Sequence, residues 1–193
     1  MRIDQLRKNY EIEVRWIAFP LHPETPEEGL TFEELFAGQP VDIEKIKARL
    51  KQVASELGLV LGERKKTYNS RLAQELGKWA ELNGKGDPFH EAVFRAYFVD
   101  GKNIGRVDEL VAIAESIGLP EKAARSVLEL RTFKEAVDAD WSRSRALAIT
   151  GVPAFVINDR AVIGAQPYEV LEKLVIDRGA KKRMNPERSP QCN

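Results

Sequence analysis

Strand-like sequence occurs at two places in this chain, residues 11–19 and 154–164, and most of the stretch between them repeats with helical spacing. In the first, Ile12, Val14, Trp16 and Ala18 share one parity and Glu13, Arg15, Ile17 and Phe19 the other. Alternation rich in β-branched and aromatic residues predicts a strand. In the second, the apolar runs 154–158 and 161–164 flank Asn158-Asp159-Arg160, which predicts a β-hairpin. Strands drawn from opposite ends of a chain, with helices between, imply an α/β core interrupted by a helical domain.

The helical block begins with Ile43, Ile46, Leu50, Val53 and Leu57, which recur at three- and four-residue steps before Gly58. Leu72, Leu76, Trp79 and Ala80 predict a helix over 70–82, ending at Asn83-Gly84. Asp87-Pro88 predicts a start, with an acceptor at the N-cap and proline at the first helical position. The helix it opens carries Phe89, Val93, Phe94, Tyr97 and Phe98. Further helices are predicted over 107–117, after Pro120, over 133–149 and from Gln166-Pro167 onward, and residues 1–9 also read as helical. Pro20, Pro23 and Pro26 make 20–40 a stiff connection with one helical turn near 32–36. The chain is therefore divided as 1–40 and 141–178 for the α/β core, 41–140 for the helical insertion and 179–193 for a disordered tail.

Composition narrows the function. The 193 residues carry 30 Lys+Arg and 30 Asp+Glu, and a net charge of zero argues against a nucleic-acid partner. No run approaches the roughly 18 apolar residues of a membrane span. Met1-Arg2-Ile3-Asp4-Gln5 leads into charge rather than an apolar signal region, so a cytoplasmic protein is expected. The single cysteine, Cys192, excludes an intramolecular disulfide and a cysteine-rich zinc site, and is read as an incidental thiol. His22 and His90 lack a nearby carboxylate pattern and are read as exposed or packing residues. Arg64-Lys65-Lys66 and Lys181-Lys182-Arg183 are read as solvated clusters. Trp16 and Phe19 are expected to pack between sheet and helical lobe.

The most informative segment is Thr150-Gly151-Val152-Pro153-Ala154-Phe155-Val156-Ile157, followed by Gly164-Ala165-Gln166-Pro167. With Arg15-Trp16-Ile17-Ala18-Phe19-Pro20, Asn69-Ser70-Arg71-Leu72-Ala73, Phe94-Arg95-Ala96-Tyr97-Phe98 and Gly118-Leu119-Pro120, it resembles the DsbA-like thioredoxin superfamily. The resemblance is strongest to the FrnE-like and 2-hydroxychromene-2-carboxylate isomerase-like branch, and covers about residues 1–177. It implies a thioredoxin-like fold with an inserted all-helical domain. It also implies a cis proline at Pro153, which turns the backbone of Val152 outward to pair with an extended substrate. On that basis Gly151, Val152, Pro153 and Gln166 are the expected substrate-binding residues.

Asn69 and Arg71 complete the set. The resemblance implies an asparagine that helps bind glutathione or substrate; by residue type alone, Asn69 equally reads as a helix cap and Arg71 as a solvent-facing residue. Members of this family carry a strand and a Cys-x-x-Cys motif ahead of the first helix, and this sequence begins within that helix. The expectation is an N-terminally truncated member without a catalytic residue or metal set, whose natural start lies upstream. As given, the chain is expected to self-associate as a homodimer, because the absent strand lies between residues 11–19 and 154–158 in the family sheet. Its partner is expected to be a peptide or thiol at the proline loop. No cofactor is assigned, glutathione being the one ligand the resemblance allows. Three activities stay open: thiol–disulfide exchange, a glutathione-dependent isomerase or transferase reaction, and non-catalytic peptide binding.

Overall fold

The computed structural model describes residues 2–56 and 58–183. The elements are α1 (Arg2–Asn9), β1 (Leu30–Thr31), α2 (Phe32–Leu35), α3 (Ile43–Glu56), β2 (Lys66–Thr67), α4 (Arg71–Leu82), α5 (Gly86–Phe98), α6 (Val107–Ser116), α7 (Glu121–Glu129), α8 (Lys134–Ala146), β3 (Ala154–Ile157), β4 (Arg160–Ile163) and α9 (Tyr168–Ile176). They fall into two compact units: a helical unit over residues 20–141, and a discontinuous unit joining residues 1–19 to the chain from 142 onward.

The helical unit is built on α4 to α7. Leu76, Ala80, Leu110, Ala114 and Ala124 are fully enclosed, and Phe89 and Leu128 nearly so. They recur at three- and four-residue steps along their helices, and burying each large apolar side chain favours the fold by about 1.5–3 kcal/mol. α5 starts two residues earlier than the sequence suggests. Lys85 is its N-cap, and its N–H also closes α4 by donating to the Ala80 carbonyl. Asp87 therefore sits in the first turn rather than at the cap, where its charge still suits the helix dipole. The predicted apolar stripe of α3 forms a helix but not a core face. Ile46 and Leu50 are exposed and Ala54 is its buried residue, while Leu57 lies outside the described residues.

Residues 20–40 belong to the helical unit, so the division falls at 19/20 instead of 40/41. Hydrogen bonds explain the shift. The Asn69 amide donates to the carbonyls of Pro23 and Thr25, each at 2.9 Å. Asn103 donates to the Glu27 carbonyl at 2.8 Å and Lys66 to the Glu28 carbonyl at 3.1 Å. β1 then pairs antiparallel with β2, Leu30 opposite Thr67. A proline-rich loop with few N–H groups of its own is held by its carbonyls.

The discontinuous unit has a smaller core: Leu6, Tyr10, Leu171 and Val175, with Ile3, Ile12, Phe155, Ile157 and Tyr168 packed against them. β3 and β4 form the expected hairpin, with Ile157 opposite Arg160 and Asn158 at φ 54 in the turn. Asparagine is among the few side chains that enter this left-handed region readily.

Residues 11–19 are not a strand. Their burial alternates as the sequence does, with Ile12, Val14, Trp16 and Ala18 half-buried and Glu11, Glu13, Arg15 and Ile17 exposed. Ladder pairing stops at Tyr10, which bridges Lys182, and among the described residues β3 pairs only with β4. Alternation sets an extended backbone, but a strand also needs a neighbour to bond. Residues 181–183, expected to belong to a disordered tail, are bonded to Asn9, Tyr10 and Glu11. The Arg183 guanidinium donates to the carbonyls of Arg7 and Tyr10, each at 3.0 Å, and so caps the end of α1. Residues 184–193, including Cys192, lie outside the described residues.

Candidate functional site

Four of the six expected site residues come together in the discontinuous unit. The Val152–Pro153 peptide bond is cis. β3 starts immediately after it, and the Gly164 N–H donates to the Pro153 carbonyl at 2.8 Å. That bond extends the hairpin register by one pair and seats residues 164–167 beside the proline loop. Gln166 closes this turn, its N–H donating to the Gly164 carbonyl at 2.9 Å and its side-chain amide to the Ile163 carbonyl at 2.7 Å. Gln166 thus shapes the loop's neighbour through its own local bonds.

Val152 is 47% exposed. Neither its N–H nor its carbonyl has a hydrogen-bond partner among the described residues. The hairpin register explains why. Phe155 and Ile157 face β4 with their backbone groups, as Pro153 does through its carbonyl. In an antiparallel ladder the intervening residues, Ala154 and Val156, turn theirs to the other edge. These too lack partners among the described residues. Val152, Ala154 and Val156 therefore form one open row of donors and acceptors, with the half-buried Gly151 leading into it. Such a row can pair with an extended chain.

Asn69 and Arg71 belong to the helical unit, and their polar atoms are engaged there. Besides its two donated bonds, Asn69 accepts the Arg71 N–H at its Oδ1, 2.9 Å. Arg71 donates to Glu75 at 2.6 Å and to the Lys134 carbonyl at 2.8 Å, and lies 2.7 Å from Asp138. Its guanidinium also stacks 4.5 Å from the Trp141 ring centroid. Glu75, which sequence reasoning passed over, is the centre of this cluster. It is fully enclosed and accepts two further bonds from Arg131, both 2.7 Å. Burial works against its ionisation, but the bonds from Arg131 and Arg71 prevail and hold its pKa below the ordinary value. Bonds from Lys134 and Arg71 likewise hold Asp138 low, at about 2.

The two histidines differ. His22 is exposed at φ 52, its carbonyl accepting from the Thr25 N–H and hydroxyl. His90 is half-buried on α5, and burial pushes its pKa down to about 4 against the opposing charge of Asp87. Its Nε2 lies 3.8 Å from Glu81, a contact that is not an ion pair while the imidazole is neutral.

A hairpin entered through a cis proline, with a helical unit inserted in the chain ahead of it, defines a thioredoxin-like fold with a helical insertion. Residues 1–175 match the model of the DSBA-like thioredoxin domain, and the chain belongs to that family. YwbO of Bacillus subtilis (strain 168) is 30% identical over 178 residues, which are 91% of this chain and 86% of that protein. The crystal structure of a probable DsbA oxidoreductase, SCO1869 of Streptomyces coelicolor, is similar with a TM-score of 0.73 at 25% identity, over 89% of this chain and 74% of that one. A 2-hydroxychromene-2-carboxylate isomerase shares the fold at 21% identity, with a TM-score of 0.60 over 71% of this chain and 66% of its own.

Proposed function

We propose that this chain binds the substrate in DsbA-like thiol–disulfide chemistry, holding an extended peptide or a small thiol such as glutathione against Gly151, Val152 and Pro153. The observation that carries this reading is the open backbone of Val152. Its N–H and carbonyl offer a substrate backbone one donor and one acceptor, fixed in place by the Gly164–Pro153 bond. A dithiol cycle needs two cysteine thiols, and these 193 residues hold one, Cys192. The open row continuing through Ala154 and Val156 also supports pairing with a second copy of the chain. A single cysteine in 193 residues suits a reducing compartment such as the cytoplasm.

The test is a titration of the 193-residue chain with reduced glutathione and with an unstructured peptide, followed on the backbone amide of Val152. Saturable movement of that amide is expected with at least one of them, together with no turnover in insulin reduction. A still Val152 amide with both ligands sinks the binding reading. Insulin reduction abolished by Cys192→Ser would show instead that the single thiol acts as a nucleophile.

A further inference from the structure

Arg64 lies on the segment that joins α3 to β2. This segment runs tightly against the end of α5: the Gly62 N–H donates to the Phe98 carbonyl at 2.9 Å. A Cβ at Gly62 would stand 1.9 Å from the Val99 carbonyl oxygen, so only glycine permits the approach. Two residues on, the Arg64 guanidinium lies 4.2 Å from the Tyr97 ring centroid, 5.2 Å from that of Phe32 and 5.4 Å from that of Phe98. The rings are themselves fixed. Tyr97 and Phe98 pack edge to face at 4.8 Å, and the Tyr97 hydroxyl shares a 2.9 Å hydrogen bond with the buried Thr67 hydroxyl.

The setting is unlike that of the helical unit's other cations with aromatic or buried neighbours. Arg71 and Arg131 grip Glu75, and Lys47, which shares the Phe32 ring with Arg64, is paired with Glu44 at 2.9 Å. Glu34, two residues after Phe32, is taken by the Thr31 backbone. Arg64 makes no hydrogen bond or ion pair among the described residues. Burial depresses its pKa, and no carboxylate acts to restore it. Yet no donor nitrogen is sealed away without a partner, so the guanidinium edge is open to solvent. Beside it the surface is apolar: Phe98 and Phe94, 6.2 Å apart, are 39% and 46% exposed.

We propose that Arg64 and the exposed Phe98 face form a binding site for an oxyanion, carboxylate or phosphate, carried on an aromatic or apolar body. The planar N–H fork matches two oxygens of such a group. Ring faces behind it exclude water, which strengthens the attraction to an incoming anion. The exposed rings take the body of the ligand, which sets this site apart from one for a bare inorganic ion.

The experiment follows the Nε–Hε signal of Arg64 by NMR in the full chain, with benzoate, phenyl phosphate and inorganic phosphate as probes. Saturable shifts with benzoate or phenyl phosphate, at least tenfold tighter than with inorganic phosphate, are expected; benzoate distinguishes a carboxylate ligand and phenyl phosphate a phosphate. Arg64→Lys, which keeps the charge and loses the fork, should weaken binding at least tenfold. Arg64→Met should abolish it. The proposal is overturned if no probe saturates the signal, if inorganic phosphate binds as tightly as the ring-bearing probes, or if Arg64→Met binds them unchanged. Should the methionine variant fail to fold, the wild-type titration still decides.

Discussion

In the helical unit the enclosed Glu75 has both oxygens taken, by Arg71 and Arg131, while in the discontinuous unit Val152, Ala154 and Val156 leave a row of backbone groups without partners among the described residues. The first arrangement stabilises, because an unpaired buried charge would cost several kcal/mol. The second leaves binding capacity unspent, because exposed backbone groups can exchange water for a ligand at little cost. Arg71 and Val152 both stood out in the sequence as binding residues. The structure separates them by whether their polar atoms are already used.

The largest expected effect comes from removing the centre of the closed network. Glu75→Ala leaves Arg71 and Arg131 facing each other around an empty site and should cost about 3–5 kcal/mol. Amide hydrogen exchange reads the loss unit by unit. Protection should collapse across α4 and α7 and persist across β3 and β4. Equal loss in both places would show one cooperative block and break the comparison.

A second contrast is in pH dependence. His90 lies in residues 20–141, and its pKa is lowered to about 4. An unfolded histidine takes up its proton near pH 6.5. Between pH 6.5 and 4 the unfolded state therefore binds a proton that folded His90 refuses. Its contribution is full above pH 6.5, falls as the pH drops through that window, and changes no further below it. With a side chain 26% exposed, the change is on the order of 2 kcal/mol. Denaturant titrations at pH 7 and pH 4.5, compared with His90→Leu, isolate it; an unchanged slope in the variant would show that other groups carry it. Glu75 and Asp138 act in a lower window. Both pKa values are lowered, so their stabilisation is present above the ordinary carboxylate range and is lost as the pH falls below it, for Asp138 through about 2.

Sequence patterning located the helices and the hairpin because periodicity and turn chemistry are local signals. It failed where the outcome depends on a distant partner. Residues 11–19 have the alternation of a strand in sequence and in burial, yet pairing requires a neighbour that no local pattern supplies. Asn69 reads equally as a ligand residue or a cap until its amide is seen bonded to Pro23 and Thr25. Arg64 reads as part of a solvated basic run with Lys65 and Lys66, because three rings from elsewhere in the chain decide its setting. Glu75 drew no notice in the sequence because the two arginines that grip it are four and fifty-six residues away. Pro153 was legible because the residues around it are contiguous.

The smallest effect sharpens the comparison through two helix ends of the same geometry. α7 and α8 both close with a left-handed residue that is not glycine, Arg131 at φ 52 and Ala148 at φ 51. Thr132 donates to the Val127 carbonyl and Ile149 to the Ser144 carbonyl, the same closing bond in each. Glycine relieves the left-handed conformation in either place but adds entropy to the unfolded chain. At Ala148, in the discontinuous unit, the side chain has no bond to lose, so Ala148→Gly should stabilise by about 0.5–1 kcal/mol. At Arg131, in the helical unit, the same change removes both guanidinium bonds to Glu75, each charge-assisted and worth more than the relief. Arg131→Gly should therefore destabilise by about 1–2 kcal/mol. Denaturant midpoints of the two variants should move in opposite directions. If both rise, the grip on Glu75 contributes nothing net, and the closed network is no more stabilising than the open row.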